Sequence, residues 1–147
     1  MDKNLSIINN FKKKDYNSYP FPYFVIDKPY NDKIYSNLEK DYNLFISHFK
    51  KNEDYEKNNI RLQISSNDFF KSNLFKNSIW HDFISYHSSK KFFLDIIDIF
   101  YDDIYKIYPD IINLIENNKN KENFLGLREK KNNEKFFFVS DCQPGIN

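Results

Sequence analysis

The three histidines, His48, His81 and His87, are the side chains of this sequence best suited to hold a metal ion. An iron site made of two histidines and a carboxylate usually has a histidine and an acid two positions apart. The second residue after each histidine is lysine, phenylalanine and serine, respectively. Asp82 follows His81 directly, but adjacent residues on a helix diverge by about 100° and rarely share a metal. We therefore predict no metal site built from these histidines.

The single cysteine, Cys142, is the other candidate for a reactive group. A thiol becomes a nucleophile where a basic neighbour favours the thiolate, whereas the neighbour here is Asp141. With two glycines, the chain also lacks a phosphate-binding loop, a dinucleotide fingerprint and a G-x-S-x-G turn. The residues alone therefore predict no catalytic group, and Cys142 is expected to be a small buried residue.

Charge and composition exclude several classes of partner. The chain has 22 basic and 21 acidic residues, a net charge of +1, which favours neither nucleic acid nor an anionic membrane. Aromatic residues interleaved with lysines are typical of single-strand nucleic-acid platforms, but two arginines and a near-neutral charge weigh against that reading. The lone cysteine fits a reducing compartment, and neither a signal peptide nor a membrane-spanning run is present. We predict a soluble, cytoplasmic protein, and the many Asn, Lys and Ile residues indicate an AT-rich genome.

The first elements follow a polar arm at residues 1–18, which we separate from the domain at 19–147. Pro20 and Pro22 enforce an extended segment that leads into a predicted strand at 24–27.

A helix is predicted after Pro29, with Asn31 or Asp32 as its cap. Apolar residues recur every four positions along one face of this helix: Ile34, Leu38 and Tyr42. A charged loop at 49–59 then precedes 60–65, where apolar and polar residues alternate as in a half-buried strand.

Two more helices are predicted after Ser78. The first has one short apolar face: Ile79, Trp80, Phe83, Ile84 and His87. Ser88 and Ser89 can cap the second, which has a longer apolar stripe: Phe93, Ile96, Ile97, Phe100, Ile104 and Ile107. Four acids avoid that stripe and form a solvated face: Asp95, Asp98, Asp102 and Asp103. Pro109 should break or kink this helix, with a further turn or two after it.

The last part of the chain contains predicted loops at 117–123 and 130–134 and an apolar run at 136–140. The run suits a strand buried on both faces. The order strand, helix, strand, helices and strands again predicts an α+β fold, with helices packed beside a sheet. The final strand has no partner after it in sequence.

Three segments, in this order, carry a resemblance to a known family. They are "YPFPYFVID" with the following "KPYNDKIYSNLEKDY", the middle segment "IRLQISSNDFFKSNLFKNSIWHDFISYHSSKKFFLDIIDIF", and the terminal "VSDCQPGIN". Over residues 18–147, the chain resembles the beginning of the iron(II)- and 2-oxoglutarate-dependent oxygenases of the prolyl-4-hydroxylase-like branch.

The resemblance implies the N-terminal helix and strand layer of a double-stranded β-helix, or jelly-roll, truncated before most of the barrel. The full protein would use Fe(II) and 2-oxoglutarate to hydroxylate a protein, peptide or small molecule. The family's iron ligands and its basic 2-oxoglutarate ligand lie further downstream, so we expect neither cofactor to bind this chain alone. Gln143 and Asn147 lie on the strand that would approach the pocket and are the predicted lining residues, while Arg128 is a candidate partner for a core carboxylate.

The resemblance leaves the enzymatic status of the chain open. One reading is the inactive N-terminal part of an oxygenase. The alternative is a non-catalytic binding or assembly module without the barrel, and a third, weaker reading is a single-strand nucleic-acid binder.

Overall fold

A computed structural model of the chain describes residues 3–50, 62–129, 131, 133–143 and 145–146. Its helices are α1 (Asp32–Asp41), α2 (Asn43–Lys50), α3 (Ser66–Lys71), α4 (Ile79–His87), α5 (Lys90–Ile99), α6 (Tyr101–Ile107) and α7 (Pro109–Asn118). Its strands are β1 (Tyr16–Asn17), β2 (Tyr23–Phe24), β3 (Leu62–Gln63), β4 (Leu125–Leu127), β5 (Phe138–Ser140) and β6 (Gly145–Ile146). The predicted α+β class is confirmed, with helices predominating over short strands.

The N-terminal segment contributes to the packed fold. Leu5 and Ser6 are buried, and β1 pairs antiparallel with β2. The strand predicted at 24–27 is wrong in its bounds, because β2 starts at Tyr23 and ends at Phe24. Beyond it, the Val25 N–H donates to the Asp15 carbonyl at 3.1 Å while the Val25 side chain is exposed. The first sheet is therefore a two-stranded ribbon on the outside of the helices.

The predicted first helix is confirmed as α1. Its cap is Asn31, whose Oδ1 accepts a hydrogen bond from the Ile34 N–H at 2.9 Å. Leu38 is the buried residue of its apolar face. Of the strand predicted at 60–65, the structure describes pairing at Leu62 and Gln63, where β3 runs antiparallel to β6. The loop predicted at 49–59 is wrong at its start, because residues 49 and 50 belong to α2, and residues 51–59 lie outside the described part of the chain.

Helices are present over the predicted region after Ser78, with one correction. Ser89 caps α5 by accepting a hydrogen bond from the Phe92 N–H at 3.2 Å. The predicted continuous helix is wrong, because it divides at Phe100 into α5 and α6, and Ile107 at its end is exposed. Pro109 ends it as predicted, since its fixed φ and missing N–H suit the first turn of α7.

The strand predicted at 136–140 is shorter and less buried than expected. It spans Phe138–Ser140, and Val139 points outward with 41 % of its surface exposed. This strand, β5, pairs parallel with β4, which the sequence did not predict. Only one face of the β4–β5 pair packs on helices, so the expectation of two buried faces was wrong.

Two hydrophobic cores hold these elements together. The first joins α2, α3 and α4 to the residue after β3 and to the segment between α3 and α4, through five buried residues: Phe45, Ile64, Phe69, Phe75 and Ile84. The second joins α7 to β4 through Ile112, Ile115 and Phe124, with Phe93 of α5 and Phe138 of β5 packed against it. In the part of the chain that the structure describes, no helix has the length and apolar character needed to cross a membrane.

Candidate functional site

The segment 140–143 is tied to the N-terminal end of α3 by hydrogen bonds to Ser66. The Ser66 backbone N–H donates to Asp141 Oδ1 at 3.0 Å, and its hydroxyl donates to the Cys142 carbonyl at 2.8 Å. Ser66 is fully buried, and its Oγ lies 3.2 Å from the Oγ of Ser88. Because a carbonyl can only accept, the Ser66 proton goes to Cys142 and the Ser88 hydroxyl donates to Ser66.

The two predicted pocket residues have different outcomes. Gln143 is exposed, and its Nε2 donates a hydrogen bond to Asp141 Oδ2, so its side chain folds back along its own segment. Asn147 lies outside the described residues. Arg128 is exposed and forms none of the ion pairs found in the described part of the chain, while its backbone N–H donates to the Ser140 carbonyl at 3.0 Å. The contact that the structure shows for Arg128 is therefore a backbone hydrogen bond between the ends of β4 and β5.

Cys142 is a partly buried residue packed against the first core. Burial raises the pKa of its thiol to about 11, and the neighbouring Asp141 carboxylate adds to that rise. The thiol is therefore protonated near neutral pH, which is consistent with the expected unreactive residue.

Neither His81 nor His87 is placed to form an iron site. His87 is buried with both ring nitrogens occupied, because Nε2 accepts from the Ile7 N–H at 3.1 Å and Nδ1 donates to the Phe83 carbonyl at 2.8 Å. His81 lies against the ring of Phe70, with its Nδ1 3.8 Å from the adjacent Asp82. The side chain of His48 lies outside the described part. Among the described residues, no group of three or more His, Cys, Asp or Glu side chains could hold a metal ion.

A cleft of about 680 Å³ lies between the segment 27–30, α1 and α4. That volume is within the range of small-molecule sites. Aromatic rings make up much of its wall: Tyr30, Tyr35, Tyr42, Trp80 and Phe83. Three carboxylates also line it, from Asp27, Asp32 and Glu39, against one cation from Lys28. We call this feature the aromatic cleft.

One wall of the aromatic cleft is a single stripe along α1 and its C-terminal cap residue, Tyr42. Asp32, Tyr35, Glu39 and Tyr42 follow one another at spacings of three, four and three residues, which places them on one side of a helix. The stripe alternates carboxylates with aromatic rings. This D-x-x-Y-x-x-x-E-x-x-Y pattern was visible in the sequence, but the apolar periodicity through Leu38 concealed it.

The opposite wall comes from α4 and is held firmly against α1. Trp80 Nε1 donates to the Leu38 carbonyl at 2.9 Å, and its ring meets that of Phe83 edge to face, with centroids 5.4 Å apart. Asp41 at the end of α1 accepts a hydrogen bond from the Ile79 N–H at 3.3 Å. The aromatic cleft therefore has walls positioned by hydrogen bonds as well as by packing.

Tyr30 lines the aromatic cleft beside Phe83 of α4. Its hydroxyl is buried and has no hydrogen-bond partner among the described residues. Burial raises the pKa of Tyr30 well above its usual range, and the nearby Cys142 thiol adds to the effect. The Tyr30 ring also packs edge to face on Phe83, with centroids 5.9 Å apart.

Comparison with known proteins gives no match to any protein-family model, curated protein or solved structure. The functional proposals therefore depend on the motifs and contacts of this chain.

Proposed function

We propose that this chain forms the N-terminal layer of an iron(II)- and 2-oxoglutarate-dependent oxygenase that hydroxylates a C–H bond of its substrate. The observation that carries the proposal is that the middle segment is hydrogen-bonded to both of the other segments that carry the resemblance. Trp80 of the middle segment donates to the Leu38 carbonyl of "KPYNDKIYSNLEKDY". Ser66, also in the middle segment, bonds to Asp141 and Cys142 of "VSDCQPGIN". The three segments therefore form one structural unit.

The pairing of the last strands is compatible with this role. In the described part of the chain, β5 pairs with β4 alone and β6 pairs with β3 alone. Each of these strands has an edge with backbone groups that a further strand could pair with. In the proposed oxygenase, the jelly-roll would be built from these edges, and α3 and α4 would support its first strands from behind.

In such an enzyme the described residues would support the strands of the jelly-roll, since none of them fits an iron centre. Ser66 fixes the path of the segment 140–143 through two hydrogen bonds. Gln143, exposed on that segment, remains the predicted pocket residue together with Asn147. The iron and 2-oxoglutarate ligands would come from residues downstream of Asn147.

Determining the coding sequence on the 3′ side of the Asn147 codon tests this proposal. The expected result is an open frame that encodes a His-x-Asp motif, a later histidine and a basic 2-oxoglutarate ligand. The extended protein should then convert 2-oxoglutarate to succinate with Fe(II) and O₂, and the 147-residue chain should not. A stop codon directly after Asn147, or succinate formation by the 147-residue chain, would overturn it.

The aromatic cleft favours a second candidate function, a non-catalytic binding or assembly module. Its wall contains five aromatic rings and three carboxylates with hydrogen-bonded support, which is more than packing of α1 on α4 requires. A stop codon after Asn147 together with ligand binding in the aromatic cleft would favour the module over the oxygenase.

A further inference from the structure

We propose that the aromatic cleft binds an alkylated ammonium group, such as the head of a quaternary amine or the side chain of a methylated lysine. This inference does not depend on the oxygenase proposal, because every residue that it uses is present in the 147-residue chain. A methylated ammonium has a positive charge that carboxylates attract and apolar methyl groups that pack on aromatic rings. The aromatic cleft contains both carboxylates and aromatic rings.

The charges of the aromatic cleft favour a cation. The lining carries three carboxylates and one lysine, a formal charge of −2. None of Asp27, Asp32 and Glu39 takes part in the ion pairs found among the described residues. These three carboxylates are therefore available to pair with a cationic ligand.

The aromatic rings supply the second half of the recognition. Faces of Trp and Tyr attract ammonium groups through the ring quadrupole, and the attraction is strongest where water is excluded. Tyr35 and Tyr42 flank Glu39 on α1, and side chains three and four residues apart lie about 5–6 Å from each other at their Cβ atoms. Trp80, bonded to the carbonyl of Leu38, stands beside the same turn of the helix.

The direction of α1 places the preferred position of the cation near Glu39. The C-terminal turns of a helix carry partial negative charge and favour cations, whereas its N-terminal turn disfavours them. Asp32 opens α1, while Glu39 lies in its last turn, two residues before Asp41. We therefore assign the ammonium to the group of Glu39, Tyr35, Tyr42 and Trp80.

Trp80 makes the test direct, because it is the one tryptophan of the chain. Its fluorescence should change saturably as choline is added to the 147-residue chain, with a Kd on the order of 1 mM. The neutral isostere 3,3-dimethylbutan-1-ol has the same shape without the charge and should produce no saturable change at the same concentrations. Raising the salt concentration should weaken choline binding, because the carboxylates are near the surface.

Two pairs of variants identify the site. Glu39→Gln and Tyr35→Leu should each weaken choline binding about three- to tenfold, whereas Glu122→Gln and Tyr105→Leu should leave Kd within about twofold. Glu122 and Tyr105 are exposed residues that do not line the aromatic cleft, so they control for charge and for ring loss. All four positions are exposed, so the variants should remain folded.

A third titration distinguishes a methylated protein from a free amine as the natural ligand. It uses a short peptide that contains trimethyllysine and the same peptide with unmodified lysine. Tighter binding of the methylated peptide than of choline identifies a protein partner, and tighter binding of choline identifies a free amine. Equal binding of choline and its neutral isostere would overturn the proposal, as would the absence of choline binding or equal effects of the site and control variants.

Discussion

The imidazole Nε2 of His87 accepts a hydrogen bond from the backbone N–H of Ile7 at 3.1 Å, across 80 positions of the sequence. The opposite nitrogen, Nδ1, donates to the Phe83 carbonyl at 2.8 Å. His87 is therefore neutral, with its proton on Nδ1, and it fastens the N-terminal segment to the end of α4. Burial lowers the pKa of His87 below its usual 6.5, while the hydrogen bond to Phe83 partly opposes that shift.

This geometry predicts a pH-dependent stability. In the unfolded chain His87 takes up a proton as the pH falls below about 6.5, but in the folded chain it resists protonation. The unfolded state then binds more protons, so the contribution of His87 is full above pH 6.5 and is lost as the pH falls through the lowered pKa. Urea denaturation at pH 7.5, 6.5 and 5.5 should show the free energy of unfolding decreasing, by at most about 1.4 kcal/mol per pH unit from this group.

Substitution of the histidine separates this effect from other titrations. His87→Phe keeps a ring but leaves the Ile7 N–H without its acceptor, so it should cost about 1–3 kcal/mol at pH 7.5 and flatten the pH profile. His81→Phe, on the same helix, should keep the slope of the unsubstituted protein. An equal slope in the protein with His87→Phe would show that other groups cause the pH dependence.

Gly126 in β4 is required because the ring of Phe136 occupies the space where a Cβ would stand. Gly126→Ala should therefore destabilise the fold by about 1–3 kcal/mol, since the ring or the strand has to move. In a Phe136→Ala background the space is free, and the same substitution should cost much less. Urea denaturation of the four proteins of this double-mutant cycle measures the coupling, which should be about 0.5–3 kcal/mol. An equal cost of Gly126→Ala in both backgrounds would contradict the explanation.

Local signals in the sequence predicted α1, α4 and the start of α5, but neither α2 nor α3. Asn31 and Ser89 cap their helices as expected, because a cap depends on residues only three positions away. Pro109 likewise separates α6 from α7 through its own backbone constraints.

Contacts between distant residues were not predictable in the same way. The parallel pairing of β4 with β5 and the bonds from Ser66 to the segment 140–143 join parts of the chain with no shared local pattern. The exposure of Val139 follows from that pairing, because one face of the β4–β5 ribbon has no helix over it among the described residues. The jelly-roll and the lining roles of Gln143 and Asn147 stay predictions.

Cys142 should react slowly with thiol reagents. With its pKa raised to about 11 from 9.0, the thiol forms about a hundredfold less thiolate near pH 7.5 than an unperturbed cysteine. Ellman's reagent should modify the folded protein more slowly by a factor of that order than the urea-unfolded protein. Asp141→Asn removes the smaller cause and should speed the reaction modestly, since burial is the larger one. Equal rates for folded and unfolded protein would contradict the assigned burial.

Ser66→Ala should loosen the segment 140–143 as well as destabilise the fold. The substitution leaves the Cys142 carbonyl without its donor and the buried Ser88 hydroxyl without its acceptor, at a cost of about 1–3 kcal/mol. Because the anchored segment carries Cys142, the thiol should also react faster with Ellman's reagent. Ser85→Ala on α4 is the matched control and should change neither property.

Removing both hydroxyls distinguishes the lost hydrogen bonds from a simple loss of packing. In the double variant Ser66→Ala, Ser88→Ala, no unpaired hydroxyl remains at this position, so part of the stability should return. The reactivity of Cys142 should stay high, because the bond to its carbonyl is still missing. Additive losses of stability in the double variant would show that Ser66 and Ser88 do not share the hydrogen bond, and an unchanged thiol rate would show that Ser66 does not hold the segment in place.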